Sequence, residues 1–560
     1  MNKIFSSILV GAASMMLFTG CLEEFEPEAS FVTGDQAANA PGSYDTFVGG
    51  LTSSLSGSFL YSPSNEYPWD FGYSTFYLMR DVQGQDLLTQ YTDSWYSTWY
   101  QCGRALAPIY RDCQISWTLY YSWIKNCNNV ISLAGPQPAD DKKVGAGIAH
   151  VMRALFYSEL AQMFAQKTYG ADLDAITVPI VTESTSLEDL ANNPRATNKD
   201  MWAFIVGDLD KAETYLQGYT RPDKYTPDLS VVYGMKARAY LVMQDWVNAE
   251  KYAKLAQAGY SALDNDYYTS RDNGFNSANN SSWMFATRFK SDDKNILNND
   301  GDSSWASQMC LEMNFNPLTA GYASNYGDPK YIDRHLYETI PATDIRKKCF
   351  VDFAVDDAQT DADAIAIFSN YSEFPDRLFY TAYEQGNVNA GGGLAMKFRV
   401  AGGAAGRNNQ YIGFVVDVPM MRVEEMMLIE AEAAGMQDEG RGQALLTTFA
   451  QLRDPNYVYG THNEAYNNTS TSRFQNEVWW QRRVELWGEG FATFDIKRLQ
   501  KGIIRSYAGT NHINGFQWNT TTPPDWMNWC IVQTETNYNS ACVNNPTPIA
   551  PDGNSPEYAW

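Results

Sequence analysis

Few residues in this sequence are of a type and spacing that could do covalent chemistry. The four histidines, His150, His335, His462 and His512, lie far apart along the chain and form no H-E-x-x-H pair, so a zinc site is not expected. No G-x-S-x-G or Cys-His signature is present, and the tract around Gly406 lacks the Lys-Ser/Thr of a phosphate-binding loop. The sequence therefore predicts no catalytic residue and no cofactor.

Acidic side chains leave two alternatives open. Asp357, Asp361 and Asp363 offer oxygen ligands for calcium, but they lack EF-hand spacing, and a solvated acidic loop is the favoured interpretation. A glycosidase needs two carboxylates at a defined separation, which a sequence with 65 acidic residues does not reveal. We accordingly predict neither a metal site nor a hydrolase.

Aromatic side chains indicate binding without reaction. Residues 59–100 are rich in Tyr and Trp, and aromatic rings in a partly exposed site can stack on the C–H faces of sugars while polar side chains bond the hydroxyls. Trp95 and Trp99 are candidates for stacking, and Arg80 and Asp81 are candidates for hydroxyl contacts. Because Trp95 and Trp99 are also an i,i+4 pair, a buried helix stripe is the competing interpretation.

A second group of candidates lies in a segment rich in Gly and Asn. Trp305, Tyr322 and Tyr326 stand among loop-forming residues, where a core role is less expected, and Asn325 adds an amide. Our hypothesis is that both groups form one ligand site, with aromatic rings on opposite sides of a sugar.

Composition limits the partners. The formal net charge is −24 and no run of Lys and Arg offsets it locally, so nucleic acid is not an expected partner. Setting Cys21 aside leaves seven of the eight cysteines, an odd and unevenly spread set that does not indicate a disulfide framework. Cys530 and Cys542 flank a loop, and a disulfide between them stays open.

The N-terminus indicates export. Lys3 precedes an apolar run over residues 4–18 that is too short to span a bilayer and is typical of a signal peptide. It ends in FTGC, which resembles a lipobox in which Cys21 is acylated, although Phe18 departs from the usual aliphatic residue. We predict a lipoprotein signal peptide over residues 1–20 and an acidic tether over residues 21–34; a secretory signal followed by an unrelated cysteine is the alternative.

Helices must position the candidate residues. Apolar stripes between Trp117 and Phe164 predict two antiparallel helices separated at Gly135, and residues 231–259 predict a second pair of tetratricopeptide kind. Another helix is expected to start at Thr197 or Asn198. From about 261 to 417 the composition favours loops, with short strands at 283–289 and 411–418, and helix is predicted again from Pro419.

Ordered motifs along the chain resemble those of the SusD/RagB family of Bacteroidetes outer-membrane lipoproteins. In the N-terminal half they are Tyr121, Ile124, Asn128, Gly147, Arg153, Ala154 and Tyr157, then Arg195, Thr197, Ile205, Asp208, Leu209 and Ala212. In the C-terminal half they are Arg422, Glu425, Leu428, Ala431, Glu432 and Ala433, then Arg482, Arg483, Glu485, Leu486, Glu489, Gly490, Phe494, Asp495, Lys497 and Arg498. Two positions depart from the pattern: no Arg follows Gly490, and Leu499 stands where Trp is common.

The resemblance implies a mostly α fold of about four tetratricopeptide-like hairpins with a loop-rich variable lobe that contains a few short strands. The scaffold would comprise residues 35–265 and 419–505, the lobe residues 266–418, and a C-terminal loop region, residues 506–560, would pack on the scaffold. We interpret Arg422, Glu425, Arg483 and Glu485 as internal ion pairs, in preference to a catalytic role for Glu485, Glu489 and Asp495.

The resemblance also implies a function. A member of this family would be lipid-anchored at the outer face of the outer membrane, as a lid over a SusC-like TonB-dependent transporter to which it delivers glycans. We therefore expect a non-enzymatic, glycan-binding surface lipoprotein. The alternatives are a peptide-binding relative, a surface glycoside hydrolase and a purely structural surface protein.

Overall fold

The central helical pair begins and ends close to where the sequence predicts. This computed structural model describes residues 42–58, 67–90, 94–103, 106–298, 301–311, 314, 328–384, 390–467, 470–551 and 555–560. Helix α1 spans Arg111–Ala134 and helix α2 spans Asp140–Phe164. Gly135 follows α1 with φ +77°, a conformation that glycine adopts at low cost, so the chain can turn back there.

Six further long helices complete the scaffold. They are α3 (Asn198–Tyr215), α4 (Leu229–Met243), α5 (Trp246–Ala256), α6 (Val423–Gln437), α7 (Glu439–Ala450) and α8 (Arg473–Glu485). Most start at a side-chain cap: the Thr197 side chain accepts from the backbone N–H of Asp200, as predicted for α3, and Ser472 forms a capping box with Gln475 at α8.

The long helices pack in chain order. Each helix from α1 to α7 contacts the next one, and α8 packs on α6 and α7. Small residues allow the close approaches: a Cβ at Gly147 would lie 2.7 Å from Leu216 Cγ, and one at Gly234 would lie 2.2 Å from Met421 Sδ. The predicted fold, a mostly helical scaffold of tetratricopeptide-like hairpins, is confirmed.

Two small sheets connect the scaffold to the lobe. Strand β1 (Leu87–Leu88) pairs antiparallel with β3 (Tyr331–Ile332), and β2 (Trp283–Arg288) pairs antiparallel with β4 (Asp417–Arg422). The strand predicted at 283–289 is confirmed. The strand predicted at 411–418 is wrong in position, because residues Gln410–Gly413 are helical and the strand begins at Asp417.

The helix predicted from Pro419 therefore starts later, at Val423. All residues from Val418 to Arg422 are buried, so this stretch has neither the two-residue alternation of a half-exposed strand nor a helical stripe. The conformation of this stretch is decided by strand pairing, of Ala286 with Pro419 and of Trp283 with Arg422. The periodicity of the sequence does not indicate these pairing partners.

Short helices occupy the loop-rich regions. In the lobe they are Lys294–Leu297, Trp305–Met309, Arg334–Thr339, Asp361–Phe368, Pro375–Phe379, Gly403–Arg407 and Gln410–Gly413; elsewhere they are Ser43–Ser53, Thr75–Asp81, Ser97–Tyr100, Leu187–Leu190, Ala492–Arg498 and Gln533–Tyr538. The predicted scaffold starts at residue 35, and residues 35–41 lie outside the described part of the chain. Within the described part of the chain, Phe47–Trp560 form one compact unit.

The C-terminal segment packs on α2. The backbone N–H of Trp529 donates to Met163 O at 3.0 Å, and Asn545 Nδ2 donates to Phe164 O at 2.7 Å. No helix among the described residues is both long enough and apolar enough to cross a bilayer.

Candidate ligand-binding surface

The carboxylates with a possible catalytic role lie in a buried network of ion pairs. Glu485 contacts Arg422 at 3.1 Å, Arg453 at 3.1 Å and Arg346 at 3.5 Å, and its side chain has no exposed surface. Burial alone would raise the pKa of Glu485, but the guanidiniums of Arg453, Arg422 and Arg346 outweigh it and hold the pKa well below its usual value. A carboxylate that is charged, paired and closed off from solvent has no route to a substrate.

Other charged residues of the C-terminal motifs pair in the same way. Glu489 contacts Arg422 at 2.8 Å and Lys397 at 2.7 Å, and Asp495 contacts Arg482 at 2.7 Å. Two further pairs join separate elements: Arg238 with Glu425 at 2.6 Å, and Arg483 with Asp86 at 2.5 Å. The prediction that Arg422, Glu425, Arg483 and Glu485 form internal ion pairs is confirmed.

Arg80 and Asp81, which the sequence suggested as hydroxyl contacts, are buried. Arg80 donates to Gly490 O at 3.0 Å and to Glu159 at 3.1 Å, while Asp81 accepts from the backbone N–H groups of Gly490 and Ala492 at 2.9 and 3.1 Å. Burial raises the pKa of Asp81 to about 7 against the lowering effect of these two N–H donors. Both side chains tie Thr75–Asp81 to the turn before Ala492–Arg498, so they are not open to a surface ligand.

Trp305 and Trp99 are also interior residues, each with 1% of its surface exposed. Trp305 packs edge-on against Tyr77 and Phe398, with ring centroids 5.9 and 5.1 Å away. This differs from the exposed stacking role that the sequence suggested, because neighbouring Gly and Asn residues do not determine whether a large apolar ring is buried. Trp99 is a core residue, as the competing interpretation, a buried helix stripe, predicts.

Trp95 is the predicted candidate that does reach the surface, with 44% of its area exposed. Its backbone N–H donates to Asp328 at 3.2 Å, and the same carboxylate accepts from Thr89 at 3.1 Å and pairs with Lys330 at 2.9 Å. Asp328 therefore ties the backbone of Trp95 to the lobe. The residues that precede Asp328 include the other predicted contacts, Tyr322, Asn325 and Tyr326, which lie outside the described residues, as does Cys21.

A buried group of aromatic rings supports this surface. Trp69 contacts Trp99 at 5.9 Å between centroids, and Trp99 contacts Tyr96 at 5.9 Å. Thr75 holds the Tyr96 hydroxyl at 2.8 Å. Because Tyr96 is packed and hydrogen-bonded, the backbone next to Trp95 is held in place.

Tyr67 and Arg111 pack on the same group of rings, through Trp69, and were not predicted. The Tyr67 ring stacks on Trp69 with a centroid distance of 4.9 Å and an interplanar angle of 6°, and the Arg111 guanidinium lies 3.8 Å above the Tyr67 ring. Gln308 and Ser303, next to Trp305, hold the backbone carbonyls of Pro68 and Tyr67. Composition pointed to the stretch that contains Tyr67, but no sequence pattern links it to Arg111 at the start of α1.

Metal ligands and disulfides do not contribute to this surface. Within the described ranges, no three His, Cys, Asp or Glu side chains are placed to share a metal ion. In the acidic run, Asp363 accepts from Thr360 Oγ1 at 2.7 Å at the start of a helix. Cys530 and Cys542 are both free thiols, and burial raises their pKa values to about 11 and about 12.

A row of helical hairpins with a loop-rich lobe defines a scaffold protein of tetratricopeptide-like architecture. Sequence comparison matches residues 255–547 to the SusD family, and residues 72–241 to a SusD-like family described as starch-binding and associating with the outer membrane. The protein belongs to the SusD family. Among curated proteins, no match to the chain is found.

Solved structures share this fold over most of their length. A SusD-like carbohydrate-binding protein from Bacteroides vulgatus is 20% identical, with a TM-score of 0.67 over 90% of this chain and 97% of that one. A SusD superfamily protein from Bacteroides thetaiotaomicron is 16% identical, with a TM-score of 0.64 over 90% and 99%. Surface glycan-binding protein A from Bacteroides thetaiotaomicron, in complex with laminarihexaose, is 16% identical, with a TM-score of 0.60 over 90% and 98%.

Proposed function

We propose that this protein is a cell-surface, lipid-anchored glycan-binding protein that captures oligosaccharides and delivers them to a SusC-like TonB-dependent transporter in the outer membrane. The observation that carries the proposal is Trp95, an indole with 44% of its surface exposed on a backbone that Asp328 ties to the lobe. An exposed aromatic ring on a rigid base is the feature that sugar stacking requires, since no ordering cost falls on the protein.

The surroundings of Trp95 suit a neutral, hydroxyl-rich ligand. Arg111, with 38% of its side chain exposed, supplies N–H donors beside the ring of Tyr67. Tyr322, Asn325 and Tyr326 are proposed as further contacts from the lobe, since their segment leads directly into Asp328. The net charge of −24 opposes an anionic ligand.

Related proteins support the same chemistry. The B. vulgatus structure is of a carbohydrate-binding protein, and the B. thetaiotaomicron surface protein holds laminarihexaose. The matched SusD-like family is described as starch-binding and associating with the outer membrane, which supports the proposed location. Acylated Cys21, followed by the acidic residues of the tether, is the proposed anchor.

The proposal is tested by screening the mature chain, produced without lipid, against neutral oligosaccharides and against peptides. Laminarihexaose, maltohexaose and xylohexaose are suitable first probes. We expect saturable binding of at least one glycan, with no new reducing ends released during prolonged incubation. Release of reducing ends would indicate an enzyme, binding of peptides alone would indicate a peptide carrier, and binding of neither would contradict the proposal.

A further inference from the structure

A second concave surface, which Trp95 does not line, lies along helix α1. It is a groove of about 600 Å³ whose floor is α1, with residues 179–193 as one wall and helix Gln533–Tyr538 as the other. We call it the α1 groove. Its volume is within the range that ligand sites of proteins occupy.

Hydrogen bonds fix the first wall to the helical scaffold. Tyr121 donates from its hydroxyl to Pro179 O at 2.7 Å, and Asn128 Nδ2 donates to Val181 O at 3.0 Å. Tyr157 bonds both the carbonyl and the N–H of Val181, at 3.0 and 2.7 Å. This wall is therefore held in place without a ligand, which lowers the entropic cost of binding.

The second wall is tied to the first across the groove. Asn539 Nδ2 donates to Asn193 O at 2.7 Å, and the Asn193 N–H donates back to Asn539 Oδ1 at 3.0 Å. Tyr538, with 56% of its surface exposed, donates from its hydroxyl to Leu187 O at 3.3 Å. The groove thus has an anchored aromatic ring at its edge.

The floor of the groove presents a row of polar side chains. Thr118, Ser122, Lys125, Asn129 and Ser132 line the groove at spacings of three and four residues, which places them on one face of α1. Their side chains have no hydrogen-bond partner among the residues that the structure describes. From Thr118 to Ser132 this row extends about 21 Å, at 1.5 Å per helical residue, which accommodates several sugar rings.

The groove carries few charges, and they are of both signs. Glu183 pairs with Arg153 at 2.7 Å, while Glu535, which accepts from Asn539 at 3.1 Å, and Lys125 contribute one charge each of opposite sign. Amides and hydroxyls are therefore the principal polar groups of the lining. A surface of this kind offers no cluster of charge for an ionic ligand, but its donors and acceptors match the hydroxyls of a neutral sugar.

From these features we infer that the α1 groove is a second site for neutral oligosaccharides, in addition to the surface around Trp95. Arg111, beside Tyr67, and Asn129, in the groove, are 18 residues apart on the same helix, a separation of about 27 Å along its axis. The inference rests on the proposed glycan specificity of the protein. Two sites on one rigid helix would let one long glycan be held at two points, which strengthens its retention.

The inference is tested by calorimetric titration. The first ligand is laminarihexaose, followed by the glycan that binds best in the screen. Ser122→Trp would fill the floor of the groove, and Asn126→Trp, an exposed position of α1 outside the groove, is the matched control. We expect two sites per chain in the parent protein and in Asn126→Trp, and one in Ser122→Trp. In Trp95→Ala we expect the groove site to remain, and in the Trp95→Ala, Ser122→Trp double variant no binding.

A milder variant guards against misfolding of Ser122→Trp. Tyr538→Ala should weaken the groove site at least several-fold and leave the melting temperature unchanged. One site per chain that Trp95→Ala abolishes and Ser122→Trp does not affect would overturn the inference while leaving the proposed function intact. Absence of any glycan binding by the parent protein would contradict both the inference and the proposed function. If the parent bound a peptide, and not a glycan, at a site that Ser122→Trp abolishes, the sugar specificity of the groove would be overturned.

Discussion

Glu485 Oε1 lies 3.1 Å from Arg422 Nη1, and neither side chain has any surface exposed to solvent. Arg422 ends strand β4 and Glu485 ends helix α8, so the pair joins the sheet to the last long helix of the scaffold. Arg453 reaches the same carboxylate from the turn after α7. This contact explains why charged residues occur in the interior of a chain with no enzymatic signature.

Removing the Glu485 carboxylate should destabilise the protein without a direct effect on binding. Glu485→Ala removes one carboxylate from a buried network in which Arg422, Arg453 and Arg346 share it, and the excess positive charge should cost about 3–5 kcal/mol in the free energy of unfolding. Glu338→Ala, at an exposed ion pair with Arg334, is the control and should change stability by less than about 1 kcal/mol. Urea unfolding measures both, and a fully stable Glu485→Ala protein that had lost glycan binding would contradict the structural role.

Trp305 should behave as a core residue. Trp305→Ala removes a ring packed between Tyr77 and Phe398 and should cost about 3–5 kcal/mol of unfolding free energy. Trp560→Ala, at an indole with 44% of its surface exposed, should cost much less. Equal melting temperatures for Trp305→Ala and the parent would show that the ring is not part of the core in solution.

Stability should fall on acidification, in part because of His462. Burial, together with nearby Arg346, lowers the pKa of His462 to about 4, and its ring stacks on Trp480 at 3.6 Å between centroids. An unfolded histidine takes up its proton near pH 6.5, so the contribution of neutral His462 is complete above pH 6.5 and is lost as the pH falls toward 4. In His462→Gln the slope of unfolding free energy against pH in this window should be smaller by up to about 1.4 kcal/mol per pH unit. Identical slopes in parent and variant would refute the assignment.

The proposed membrane anchor depends on the Cys21 sulfur atom. Cys21→Ala should abolish membrane association in cells that lack the transporter partner, because acylation of Cys21 is the proposed membrane-seeking element. Fractionation followed by immunoblotting measures this. A Cys21→Ala protein that still sediments with the outer membrane in such cells would show that the lipobox interpretation is wrong.

Local signals in the sequence predicted much of the scaffold. Gly135 and the Thr197 cap mark helix boundaries, and their effect is confined to neighbouring residues, so the sequence alone predicts them well. Pro419–Arg422 could not be assigned in the same way, because its partner strand, β2, lies more than a hundred residues earlier in the chain. Its burial on both faces removed the alternation that identifies a strand.

At the candidate surface, too, the sequence predicted local features but not those that depend on tertiary contacts. Composition identified the aromatic stretch, but it could not separate exposed Trp95 from buried Trp99, four residues later, because both lie in the same local pattern. Arg111 and Asp328 contribute through tertiary contacts with Tyr67 and Trp95, and no spacing in the sequence records these contacts.

The glycan affinity of Trp95→Ala, compared with that of Trp560→Ala, tests the central claim most directly. Both indoles have 44% of their surface exposed, so the two truncations remove comparable exposed rings, and only one of them belongs to the proposed site. The titration must resolve the Trp95 site from the α1 groove. Trp95→Ala should weaken glycan binding at the Trp95 site at least tenfold, which corresponds to about 1.4 kcal/mol, and leave the melting temperature unchanged. Trp560→Ala should bind glycan like the parent protein. If Trp95→Ala bound every glycan as tightly as the parent protein, the surface around Trp95 would not be the binding site.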